Sequence, residues 1–125
     1  MLRAYCRLVK KHATRRFSAI VQRTIAYIDA DLSADLRLQT LAQRQNINAS
    51  YLSALFRKET GETITDHIAV KRMEHAAHLL QNTRLQVQSI AQHCGISDAN
   101  YFSKLFKKHI GMTPAEYRSR MQRSL

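Results

Sequence analysis

Residues 101–114, YFSKLFKKHIGMTP, repeat a phrase already present at residues 51–64, YLSALFRKETGETI. Tyr51, Ser53, Leu55, Phe56, Lys58, Gly61 and Thr63 return as Tyr101, Ser103, Leu105, Phe106, Lys108, Gly111 and Thr113, each 50 positions on. Upstream, LQTLAQRQNI (38–47) overlies VQSIAQHCGI (87–96) at an offset of 49, so one extra residue enters the second copy between the two segments. Two copies of one structural unit account for both matches.

Each copy reads as helix, tight turn, helix. Leu38, Leu41 and Ala42, or Val87, Ile90 and Ala91, follow the i, i+3, i+4 spacing of one apolar stripe. Asn46 or Gly95 then ends the helix, and these two residue types tolerate the left-handed backbone that closes one. Ile47 or Ile96 is expected to point inward, with Asn48 or Ser97 as N-cap of the next helix. That helix carries the stripe Leu52, Leu55, Phe56, or Phe102, Leu105, Phe106. Gly61 or Gly111 stops it, and Thr63 with Asp66, or Thr113 with Glu116, forms a capping-box start to the succeeding helix. Pro114 stands at the first helical position, where its missing N–H costs least.

Between the copies, residues 63–82 lack Gly and Pro and place Ala69, Met73, Ala76 and Leu80 on one face. Such a helix would be roughly 30 Å long at about 1.5 Å per residue. That approaches one turn of B-DNA, on the order of 34 Å, which suits a spacer between two reading units. A further helix over residues 19–30, carrying Ile20, Ile25 and Ile28, is expected to pack under the first copy.

Composition agrees with this all-α reading: 125 residues hold only three glycines and one proline. The expected architecture is two helix-turn-helix subdomains joined by a long linker helix, about seven helices in all. The first helix-turn-helix spans 36–61, the linker helix 63–82, the second helix-turn-helix 85–111 and a final helix 114–123. Residues 1–18, with six Lys or Arg and no acidic residue, read as a basic connector, the tail of an upstream domain, ahead of a two-unit helical domain over 19–125.

The chain's 20 Lys and Arg against nine Asp and Glu, a formal charge of +11, favour a polyanionic partner. No apolar run approaches the roughly 20 residues of a bilayer span, and no signal-peptide core opens the chain, so a cytoplasmic protein without a membrane partner is expected. Cys6 and Cys94 lie far apart with no Cys-x-x-Cys neighbour, which argues against a zinc ribbon or a disulfide framework. His75 and His78, at i, i+3, form a weak metal pair, and no metal or cofactor is expected. No Gly-rich phosphate loop and no nucleophile–base order is recognisable, so enzyme activity is not expected.

Opposite the core stripe of the second helix in copy one lie Ser50, Ser53, Ala54 and Arg57; the matching set in copy two is Asn100, Ser103, Lys104 and Lys107. Core positions repeat while this outward face varies. Asn pairs bidentately with adenine, and Lys donates to guanine O6 and N7, so Asn100 and Lys104 carry the chemistry of major-groove reading. Ser50, Ser53 and Ala54 offer a thymine-methyl, phosphate or water contact, which predicts more sequence discrimination by copy two. Arg57, Lys58, Ser103, Lys107 and Lys108 are the expected phosphate contacts.

The stretches SYLSALFRKETG and IAQHCGISDANYFSKLFKKHIGMTPAEYR, within residues 20–120, resemble the DNA-binding domain of the AraC family of bacterial transcription regulators. That resemblance implies two helix-turn-helix units joined by a long helix, with the second helix of each in the major groove. Base reading then maps onto Ser50, Ser53 and Ala54 and onto Asn100, Tyr101 and Lys104. The implied partners are double-stranded DNA first, then RNA polymerase and a sensing or dimerisation domain missing from this chain, which is accordingly expected to be a fragment of an activator or other regulator. Two rival readings remain open: a protein-interaction module, and a nucleic-acid packing protein without sequence preference.

Overall fold

The computed structural model describes residues 16–123, so Cys6 and most of the basic connector expected over residues 1–18 lie outside the described residues. Among the described residues the order is α1 (Ala19–Ala30), α2 (Leu38–Arg44), α3 (Ala49–Thr60), α4 (Ile64–Asn82), α5 (Val87–His93), α6 (Ala99–Ile110) and α7 (Pro114–Arg123), with no strand. The chain divides into two compact units. Unit one holds residues up to Asp31 and Asp35–Ile68; unit two holds Leu32–Ala34 and Ala69 onward. Helix α4 runs unbroken from the first into the second.

In unit one, α2 packs on α3 and α1 packs on α3. Leu41, Ala42, Leu52 and Phe56 are fully or almost fully buried, as the two apolar stripes require. Helix α1 packs as expected, with Val21, Thr24 and Ile28 as its buried face; of the three isoleucines it carries, Ile20 and Ile25 are only half-buried. Thr24 is tolerated inside because its hydroxyl donates to the Ile20 carbonyl at 2.9 Å and accepts from the Gln45 side chain at 2.9 Å. At the start of α1, the Ser18 N–H donates to the Glu59 carboxylate on α3 at 2.7 Å. Two polar ties thus fix α1 on the helix-turn-helix, beside an Arg44 guanidinium stacked 4.0 Å over the Tyr27 ring. His67, fully buried near the start of α4, has Nδ1 2.7 Å from a Glu62 carboxylate oxygen and meets Phe56 edge-on with ring centres 5.5 Å apart.

Unit two repeats the plan with a different cover. Its core joins Met73, Ala76 and Leu80 of α4, Ile90 and Ala91 of α5, Cys94 and Ile96 of the turn, and Phe102 and Phe106 of α6. Burying each side chain of leucine or phenylalanine size stabilises the fold by about 1.5–3 kcal/mol. Helix α7 closes the unit: Tyr117 meets Phe106 in a T-shaped contact at 5.5 Å, and Arg118 donates to the Leu80 and Thr83 carbonyls at 3.2 and 3.3 Å. The Leu80 carbonyl lies in the last turn of α4 and the Thr83 carbonyl just past its end, where backbone acceptors have no intrahelical partner.

Candidate nucleic-acid interface

The site is built on the turn that precedes each outward helix. Asn46 adopts φ +54° and Gly95 φ +84°, the left-handed conformation expected of both. Each turn is closed by backbone bonds of one pattern, Ile47 N–H to Ala42 O at 3.1 Å and Ile96 N–H to Ala91 O at 2.9 Å. Gly95 has a second reason to lack a side chain. A Cβ there would come within 2.5 Å of the Leu32 carbonyl and 2.9 Å of the Arg72 guanidinium. Arg72 itself donates to the Leu32 carbonyl at 3.1 Å, and burial makes its proton easier to lose, while the nearby Cys94 and Tyr101 act the other way.

After the turn the copies diverge by one residue. Asn48 caps α3, its side-chain oxygen accepting from the Tyr51 N–H at 3.1 Å. The cap of α6 is Asp98, which accepts from the Asn100 and Tyr101 N–H groups at 2.9 and 3.3 Å. This corrects the expectation of Ser97 as cap: Ser97 is the inserted residue, and the cap falls on the position 50 beyond Asn48. Ile96 is buried, but Ile47 is only half-buried, so the inward role expected of both is fully met in unit two alone. At the other end, Gly61 and Gly111 close α3 and α6 with φ +84° and +96°. Thr113 and Glu116 bond reciprocally at the start of α7, and the Thr113 hydrogen bonds hold the Glu116 carboxyl below its ordinary range.

These devices turn the two outward helices in the same register. From position 49 to 59, and from 99 to 109, exposure follows one sequence, with positions 52 and 56 and their partners 102 and 106 buried. Ser50, Ala54, Arg57 and Lys58 are exposed on α3, and Asn100, Lys104, Lys107 and Lys108 on α6. Ser53 and Ser103 are half-buried at the edge of that face. Tyr101 is 57% exposed, and so is its counterpart Tyr51 at 53%, a residue absent from the sequence-derived set although the repeat marks it.

Charge separates the units. The described residues of unit one carry six Lys or Arg and six Asp or Glu, whereas unit two carries nine against three. The five remaining basic residues lie within residues 1–15. Among the described residues no group of three or more His, Cys, Asp or Glu is placed to hold a metal ion, and no helix is long and apolar enough to cross a membrane. His75 shares its surroundings with His78 and His93, and burial, then these two neighbours, lower its affinity for a proton.

Two helix-turn-helix units presenting exposed, cation-bearing second helices define a class of DNA-binding architecture. A helix-turn-helix domain family matches residues 41–120. The transcriptional activator RhaR of Klebsiella pneumoniae is 36% identical over 108 residues, 86% of this chain and 38% of that protein. The C-terminal domain of AraT, a response regulator from Geobacillus stearothermophilus, superposes with a TM-score of 0.83 at 37% identity, covering 85% of this chain and 88% of that domain. The DNA-binding domain of AdpA, solved with a target DNA, shares the fold with a TM-score of 0.80 at 23% identity over 86% of this chain and 96% of its own. The chain belongs to the AraC family of helix-turn-helix DNA-binding domains. It spans a little over a third of the length of the RhaR relatives it matches.

Proposed function

We propose that this domain binds double-stranded DNA sequence-specifically for a transcription regulator, placing α3 and α6 in successive major grooves. The observation that carries this reading is the shared register of the two helices: one scaffold, built twice, turns unlike polar faces outward on like cores. Asn100 and Lys104 are the principal base readers, with Ser50, Ser53 and Ala54 supplying smaller contacts and Tyr101 at the edge of the same surface. Arg57, Lys58, Ser103, Lys107 and Lys108 hold the phosphates.

The relatives named as activators support an activating role; a cytoplasmic location, with RNA polymerase and a sensing or dimerisation domain as further partners, belongs to the same proposal. Selection of bound sites from a random duplex pool tests the reading. Two short half-sites are expected, with the selected duplex preferred over random sequence by about 10³ or more. A featureless pool would mean charge-driven packing, and retention of a protein partner without DNA preference would mean an interaction module.

A further inference from the structure

The outward surface of α3 and α6 is not uniform. Around the helix axis the positions nearest the start and centre of the face differ in chemistry between copies: Ser50 against Asn100, Ala54 against Lys104. The flanks do not differ. Tyr51 and Lys58, seven residues apart and so on one edge, recur as Tyr101 and Lys108, and Ser53 on the opposite edge recurs as Ser103. Packing does not impose the tyrosine, because both rings stand more than half exposed; among the described residues the remaining exposed large hydrophobic, Leu85, is less open at 37%.

A duplex offers two kinds of surface to a helix in its major groove. Base edges in the floor change from half-site to half-site, while the phosphate walls on either side are chemically the same everywhere. A scaffold used twice on one duplex therefore varies the side chains over the floor and keeps those over the walls. We infer that Tyr51 and Tyr101 are backbone-contacting residues, each donating its phenol hydroxyl to a phosphate oxygen on the wall also held by Lys58 or Lys108. Tyr101 thereby leaves the base-reading set, Tyr51 enters the interface, and Ser53 joins Ser103 on the opposite wall. This inference rests on the proposed DNA binding and adds to it a division of the surface.

The test uses Tyr51→Phe and Tyr101→Phe, which delete one hydroxyl and keep an exposed ring, so the fold is left intact and circular dichroism melting should coincide with wild type. Affinity is measured for a duplex selected from a random pool and for a random-sequence duplex, with Asn100→Ala as the contrasting variant. Each tyrosine variant is expected to weaken both duplexes by the same factor, about three- to tenfold, the net worth of one ordinary hydrogen bond at a solvated surface. Asn100→Ala should instead erode the preference for the selected duplex. Replacing single phosphates by uncharged methylphosphonates should weaken wild type at one wall position per half-site and leave the matching phenylalanine variant indifferent there. Unchanged affinity of the phenylalanine variants, or a loss confined to the selected duplex, would overturn the assignment while DNA binding stood. Wild-type protein that binds both duplexes alike would remove the parent reading, and this one with it.

Discussion

Units one and two bury the same positions and expose different chemistry. Helix α3 has a charge balance of two cations against Glu59, whereas α6 carries Lys104, Lys107 and Lys108 with no acidic residue. Across the described residues unit one is charge-balanced and unit two has three times as many cations as anions. Duplication kept the scaffold, because a core of Leu, Ile and Phe admits few substitutions without a cavity or overpacking. It left the outer faces free to specialise. On the proposed reading, unit two is therefore the electrostatic anchor as well as the better base reader, and unit one adds discrimination through small side chains.

The turn residue gives the largest expected contrast. Gly95→Ala must accommodate a Cβ 2.5 Å from a backbone oxygen at φ +84°, and a loss of about 3 kcal/mol or more is expected in chemical unfolding. Asn46→Gly, at the equivalent turn, should change stability by less than about 1 kcal/mol, since Asn tolerates φ +54° and Gly adopts it freely. Gly111→Ala separates strain from clash: nothing lies within 4 Å, so only the backbone penalty, about 1 kcal/mol, should appear. Equal losses at all three positions would dissolve the distinction.

Next in size is the reading contrast. Lys104→Ala should cost about 1–3 kcal/mol on a selected duplex and relax base choice, while Ser50→Ala changes binding little. Lys108→Ala should weaken selected and random duplexes together and reduce the logarithmic salt slope by about 0.9. The caps come after that: Asn48→Ala and Asp98→Ala should each cost about 1 kcal/mol in thermal unfolding, with Asp98 the costlier because it accepts two N–H groups and adds negative charge at a helix start.

The last contrast concerns Cys94, whose burial pushes its thiol up to about 11. In the unfolded chain a thiol ionises near 8.5, so the stability that burial of the neutral form contributes is present below about pH 8.5 and lost as pH rises towards 11. In a Cys6→Ala background, alkylation at pH 8 should proceed only at the rate of unfolding. Rapid labelling of folded protein would contradict the burial.

Much of the architecture is legible in the sequence because it rests on local patterns. The left-handed turns at Asn46 and Gly95, the stops at Gly61 and Gly111, and the stripes of α3 and α6 follow from residue type and a 3.6-residue period. Ser97 reads as a cap because spacing alone does not say where an inserted residue is absorbed. The buried face of α1 differs from its isoleucine pattern because a hydrogen-bonded Thr24 can replace an isoleucine inside. Arg72, Arg118 and Glu59 reach partners 35 to 41 residues away, and no window of sequence displays such pairings. Of the interface, the outward residues can be named from the helical period. Tyr51 stands outside the outward set that the period draws at Ser50, Ser53, Ala54 and Arg57, and its exposure is what brings it to the interface.

The unequal partnership is tested most directly by a single-base substitution scan of a selected duplex, read as binding affinity at fixed salt. Two patches of sensitivity are expected, one deeper than the other, and Lys104→Ala should flatten the deeper patch alone. Patches of equal depth, or flattening of the shallower one, would contradict the assignment of anchor and main reader to unit two.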